Sequence, residues 1–123
     1  MNGFRMRSYQ IHFIIEKPVA LRIGKLGTFE FPAGEYVYTG CARKNMEARI
    51  SRHLSKRKKH RWHIDFLLAT SHAKIIKVEV YDGEECVVNQ ETEGEILVPR
   101  FGATDCRNGC GSHLKYVTDA GRA

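Results

Sequence analysis

At 123 residues, 42% hydrophobic and with five Tyr and six Phe, the chain is too short for two cores and too apolar for a disordered segment. No apolar run approaches the roughly 18 residues of a membrane span, and the opening MNGFRMRS has no hydrophobic signal core, so a cytoplasmic protein is expected. The net charge of +6 points to a polyanionic partner.

The charge is segregated. From Arg43 to Arg61 the chain holds Arg43, Lys44, Arg49, Arg52, Lys56, Arg57, Lys58, Lys59 and Arg61, opposed only by Glu47, whereas Glu79 to Glu95 carries acidic residues and no Lys or Arg. A basic footprint on one element fits nucleic acid, DNA first and RNA as an open alternative.

In chain order, Tyr9 to Glu16 alternates Tyr9, Ile11, Phe13 and Ile15 onto one face and predicts a strand. Ala20 to Ile23 and Thr28 to Phe31 predict a hairpin around Gly24-Lys25-Leu26-Gly27. Glu35 to Thr39 follows as a strand with Tyr36 and Tyr38 on one face, so the first half is expected to be a meander. A helix is expected from a cap at Asn45 to about Lys58, burying Met46, Ile50 and Leu54. Arg49 and His53 would flank that stripe, and Arg52 and Lys56 would face solvent. Trp62 to Thr70 predicts a second helix, Lys74 to Tyr81 a strand, Glu84 to Gln90 a short helix and His113 to Val117 a closing strand. The sum is one α/β (α+β) domain over residues 1–123, without repeats or linkers.

Three groups of residues carry chemistry. Tyr38-Thr39-Gly40 with Arg49 and His53 supplies phenols, a guanidinium that can fork a phosphate, and an imidazole. The bland alternative makes the tyrosines half-buried strand residues and Arg49 a solvated one. Cys106, Cys110 and His113, with His63 as a fourth donor, could hold Zn²⁺, although the spacing is not that of a common finger. Trp62-His63-Ile64-Asp65 reads first as a helix start, with a DNA or metal contact as the alternative.

Taken together, Gly24-Lys25-Leu26-Gly27, Phe31-Pro32-Ala33-Gly34, Tyr36-Val37-Tyr38-Thr39-Gly40, Ala48-Arg49-Ile50, Arg52-His53-Leu54, Trp62 to Leu68, Glu85-Cys86, Phe101-Gly102, Asp105-Cys106 and Ser112-His113-Leu114 form an ordered pattern over nearly the whole chain. It resembles the GIY-YIG nuclease superfamily, and within it the DUF123 branch, which is found alone or attached to endonuclease III-type repair glycosylases. The resemblance implies a small, mainly antiparallel sheet flanked by helices, here with an inserted hairpin. It implies a metal-dependent DNA endonuclease in repair or processing, with Tyr9 and Tyr38 as the motif tyrosines and Arg49 on the scissile phosphate. By the same resemblance His53 assists, and Glu85 holds Mg²⁺ or Mn²⁺. Arg43, Lys44, Arg52, Lys56, Lys58 and Lys59 would hold the DNA backbone. Arg7 departs from the pattern, standing where a glycine is expected, and 29 residues (38 − 9) separate the two tyrosines. The alternative is a domain that binds nucleic acid without cutting it, for example as partner to a repair glycosylase.

Overall fold

The computed structural model describes residues 7–41, 46–55, 62–102 and 110–117. Nine elements follow in order: β1 (Arg7–Ile15), β2 (Val19–Ile23), β3 (Gly27–Phe31), β4 (Gly34–Cys41), α1 (Met46–Leu54), α2 (His63–Leu68), β5 (Ala73–Asp82), α3 (Glu85–Glu91) and β6 (Leu114–Val117). Four strands form one sheet in the order β5-β1-β4-β6, with every neighbour antiparallel. The α+β class is thus as the sequence predicts.

The meander is not. β1 pairs with β4 and β5, while β2 and β3 pair only with each other as a separate two-stranded sheet. The reason is side-chain placement. Tyr9, Ile11 and Phe13 lie opposite Gly40, Tyr38 and Tyr36, so one face of the β1–β4 ladder is a continuous aromatic and aliphatic surface. β2 and β3 alternate buried or half-buried with exposed positions and have one apolar face to spend, not two. Their Ile23 and Phe31 are fully buried in the core, each worth about 1.5–3 kcal/mol relative to exposure.

The two faces of the main sheet differ in kind. The core face carries Tyr9, Ile11, Phe13, Ile15, Tyr36, Tyr38 and Leu114, and packs with Ile64, Leu67 and Leu68 of α2 and with Phe31 and Phe101. The opposite face carries buried polar groups beneath α3. Gln10 Nε2 donates to Thr39 Oγ1 at 3.1 Å and to Thr92 Oγ1 at 2.6 Å. Lys115 Nζ donates to the carbonyls of Asn89 and Thr92 at 3.0 and 2.9 Å, meeting the C-terminal end of α3 with a positive charge. Asn89 Nδ2 adds a bond to the Ser112 carbonyl at 2.8 Å. α3 is therefore fastened to β6 and the turn before it by polar contacts. Among the described residues, no helix is long and apolar enough to cross a membrane.

On α1 the expected stripe is displaced. Met46 is buried and Ile50 half-buried, but Leu54 is 53% exposed and His53, at 1%, takes its place inside. The stripe therefore keeps Met46 and Ile50 and ends on His53 instead of Leu54, because the imidazole has partners inside: the Tyr9 hydroxyl, 2.6 Å from Nε2, and the Trp62 ring, 5.5 Å between centroids. Leu54 cannot make either contact.

Candidate active site

The site lies where β4 ends. β1 and β4 run antiparallel with Tyr9 opposite Gly40, and the Tyr9 ring lies across that glycine. A Cβ at position 40 would stand 2.6 Å from Cζ and from the hydroxyl of Tyr9, so no other residue fits without moving the phenol. That is the physical content of the Tyr38-Thr39-Gly40 spacing. The glycine is a seat for the first tyrosine. Gly102 does a similar service for Tyr38, its positive φ of 66° turning the chain so that a Cβ there would come within 3.0 Å of the Tyr38 ring.

The Tyr9 hydroxyl and His53 Nε2 are 2.6 Å apart, and with His53 protonated on Nδ1 the phenol donates. The Tyr38 ring meets His53 edge-on at 6.2 Å. Arg49 Nη1 donates to the Cys41 carbonyl at 2.6 Å, which ties α1 to the end of β4 and sets the guanidinium's charge against the Tyr9 hydroxyl. Glu85, at the first turn of α3, accepts from the Cys41 thiol at 3.1 Å through Oε1 and faces His113 Nδ1 at 3.1 Å through Oε2. Tyr9, Tyr38, Arg49, His53 and Glu85, which are spread over β1, β4, α1 and α3, thus meet at one end of the sheet.

Their protonation differs by environment. Burial raises the Tyr9 pKa, Arg49 opposes that, and Cys41 and Glu85 add to it. Burial likewise holds Tyr38 well above the ordinary phenol value, with Tyr9 and Glu85 contributing. Both phenols are neutral at physiological pH. For Glu85 burial also raises, but hydrogen bonds from His113 and Cys41 and the charges of His113 and Arg49 outweigh it and keep the carboxylate ionised. With its side chain 28% exposed, Glu85 is the group of the five best placed to offer an oxygen to a hard cation.

Arg52, expected to face solvent, is drawn inward. Its Nη1 lies 2.9 Å from Oδ1 of the fully buried Asp65, and its guanidinium stacks on Trp62 at 4.4 Å. Arg49 lies 5.0 Å from the same ring, so Trp62 is clasped by two cations. Asp65 Oδ2 also accepts from the Trp62 backbone N–H at 2.8 Å, starting α2 with one half of a capping box; tryptophan has no acceptor for the other half. The helix-start reading of Trp62 to Asp65 is the one the structure has. Arg43, Lys44, Lys56, Lys58, Lys59 and Cys106, together with the Asn45 cap, lie outside the described residues.

The zinc donors expected from the sequence are only partly assembled. His63 Nδ1 accepts from the Gly102 N–H at 2.8 Å and its ring lies on Phe101, which fixes the turn carrying Gly102. It is not among the residues grouped with Cys110 and His113. Cys86 is: its sulfur, that of Cys110 and a His113 ring nitrogen all lie within 4.8 Å of one another. Sequence reasoning passed over Cys86 and Cys41, although Cys86 stands directly after the carboxylate it did single out.

Neither the curated proteins nor the solved structures contain a match to this chain. A family model does match, the domain of unknown function DUF123, over residues 8–123. That span contains every residue of the site, and the chain belongs to the DUF123 family.

Proposed function

We propose that the chain is a metal-dependent DNA endonuclease of GIY-YIG type acting in repair or processing. The observation that carries this reading is the meeting of Tyr9, Tyr38, Arg49, His53 and Glu85, which come from positions 9 to 85 on four different elements. Arg49 is the cation within reach of the Tyr9 hydroxyl and of the Glu85 carboxylate, the position from which a guanidinium neutralises charge building on a phosphate. Tyr9 hands its proton toward His53 Nε2 as it orients or activates the attacking water, and Tyr38 packs beside both. Glu85 would hold one divalent ion, Mg²⁺ or Mn²⁺, by a single oxygen, with water and phosphate completing the shell; the ion would supply Lewis acidity at the phosphoryl oxygen.

A second reading rests on a different observation. Tyr9 and Tyr38 are only 2% and 7% exposed, and Arg49 already serves the Cys41 carbonyl, as expected of a domain that kept the arrangement for packing and binds DNA without cutting it, for example beside a repair glycosylase. The two readings separate in one assay. Nicking of branched or damaged duplex DNA with Mg²⁺ or Mn²⁺ is expected, falling about 10²–10³-fold in Arg49→Ala and also lost in Glu85→Gln. Salt-dependent DNA binding with no cleavage of any substrate or metal combination overturns the endonuclease and leaves the binding domain.

A further inference from the structure

On the α3 side of the sheet, next to Glu85 but separate from the phenols, three residues converge that the cleavage chemistry does not use. Cys86 is on the first turn of α3, Cys110 and His113 precede β6, and the three donor atoms lie within 4.8 Å of one another. Cys110 and His113 are buried and Cys86 half-buried; both cysteines carry thiols rather than disulfides. Cys86 Sγ and His113 Nε2 are 3.9 Å apart. A tetrahedral Zn²⁺ with Zn–S of about 2.3 Å and Zn–N of about 2.1 Å holds sulfur and nitrogen about 3.6 Å apart, so small side-chain rotations suffice.

We infer that Cys86, Cys110 and His113 form a zinc-binding site, with Glu85 and Gln90 as its supporting shell. The surroundings match what such a site requires. His113 has its two ring nitrogens divided between two tasks: Nε2 faces Cys86, and Nδ1 faces the Glu85 carboxylate at 3.1 Å. A carboxylate on one nitrogen fixes the tautomer that presents the other to a metal. Gln90, one helical turn after Cys86, donates Nε2–H to the Cys110 sulfur at 3.4 Å and so helps to fix that sulfur's position. Binding displaces the thiol protons to solvent and leaves one position of the tetrahedron for water or a further donor. Two soft sulfurs and an imidazole select zinc over the hard ions proposed for Glu85. The site also does structural work, since it joins α3 to the segment before β6, where Asn89 and Lys115 already bond.

The inference stands whether or not the chain cuts DNA, because its test reads metal and not turnover. Elemental analysis of the whole protein purified without chelator is expected to give about one zinc per chain. Cobalt(II) in its place should show thiolate charge-transfer and tetrahedral d–d bands. Cys86→Ser, Cys110→Ser and His113→Gln should each lose those bands, whereas His63→Gln keeps them. Glu85→Gln should keep the stoichiometry and weaken affinity about 10–100-fold, the usual effect of removing a carboxylate behind a ligating histidine. Where a serine variant fails to fold, the wild type still decides: alkylation mapped by mass spectrometry should find Cys86 and Cys110 protected by zinc and exposed by chelator, with Cys41 indifferent. Absence of stoichiometric zinc, retention of the cobalt bands in His113→Gln, or a native Cys86–Cys110 disulfide overturns the site.

Discussion

The two faces of the main sheet solve opposite problems at the same end of β4. On the core face, Tyr9, Tyr38 and His53 are nearly sealed from water; Tyr9 and His53 share one short hydrogen bond, and Tyr38 is held by ring contacts with His53 and Phe101. On the α3 face, Glu85, Cys86, Cys110 and His113 form a chain of hydrogen-bonding and ligating groups that is partly open to solvent. Cys41 stands between them, giving its carbonyl to Arg49 and its thiol to Glu85. A sealed arrangement fixes geometry but resists ionisation; an open one ionises readily but needs partners to hold it. Substitutions should therefore register mainly as lost stability on the first face, and as altered affinity or pH response on the second.

The largest stability effect is expected under the core face, at Asp65. Asp65→Ala removes the buried partner of Arg52 and the acceptor that starts α2. Loss of one member of a buried pair costs about 3–5 kcal/mol, and because the Arg52 side chain is 21% exposed the lower figure, about 3 kcal/mol, is expected in denaturant unfolding. Asp65→Asn, which keeps an acceptor for the Trp62 N–H, should lose less. Equal losses would mean that the cap contributes nothing.

Gly40→Ala comes next. Its Cβ would meet the Tyr9 ring at 2.6 Å, and displacing a packed phenol costs about 1–3 kcal/mol. In a Tyr9→Val background the same substitution should be nearly harmless, a non-additivity that a double-mutant cycle reads directly. An additive result would show that the glycine is needed for something other than the phenol.

The smallest effect belongs to the polar face, at His12, which lies on β1 beyond Gln10. Burial and then Lys77 lower its pKa below 6.5, against a pull from Glu79, whose Oε1 is 3.0 Å from Nε2. The folded state thus prefers the neutral ring, while the unfolded chain takes up the proton first as pH falls. The contribution to stability is complete above 6.5 and declines between that pH and the lower folded value. His12→Gln should flatten stability against pH in that window and leave it unchanged above. An unaltered slope would mean that His12 titrates alike in both states.

How much of this was legible in the sequence depends on what each feature rests on. The strands fall where alternation places them, to within two residues, because a two-residue period is a strong local signal. The pairing of β1 with β4 across an intervening hairpin is a matter of which surfaces match, and that has no local signature. The end of the α1 stripe has the same origin: hydropathy favours Leu54 inside, and only the Tyr9 hydroxyl and the Trp62 ring explain why His53 is there instead. Arg52 was read from a helical wheel as solvent-facing, but a wheel cannot know that a buried carboxylate waits on the next helix. Cys86 has no spacing signal that joins it to Cys110 and His113; α3 and the segment before β6 come together through Asn89 and Lys115. The convergence of the five catalytic candidates could be expected from the family pattern alone. Nothing in composition or period would have assembled them.

The point at which the hairpin leaves the sheet has a consequence of its own. Ile15 and Gly34 are partners in the β1–β4 ladder, so the chain departs at one and returns beside it at the other. Everything between them is, for the sheet, a single long turn. The register alone therefore does not fix the count of residues separating Tyr9 from Tyr38; what the excursion must supply is the pair of side chains, Ile23 and Phe31, that it buries in the core. The pairing of Tyr9 with Gly40, two residues after Tyr38, is thus a property of strand register and not of distance along the chain.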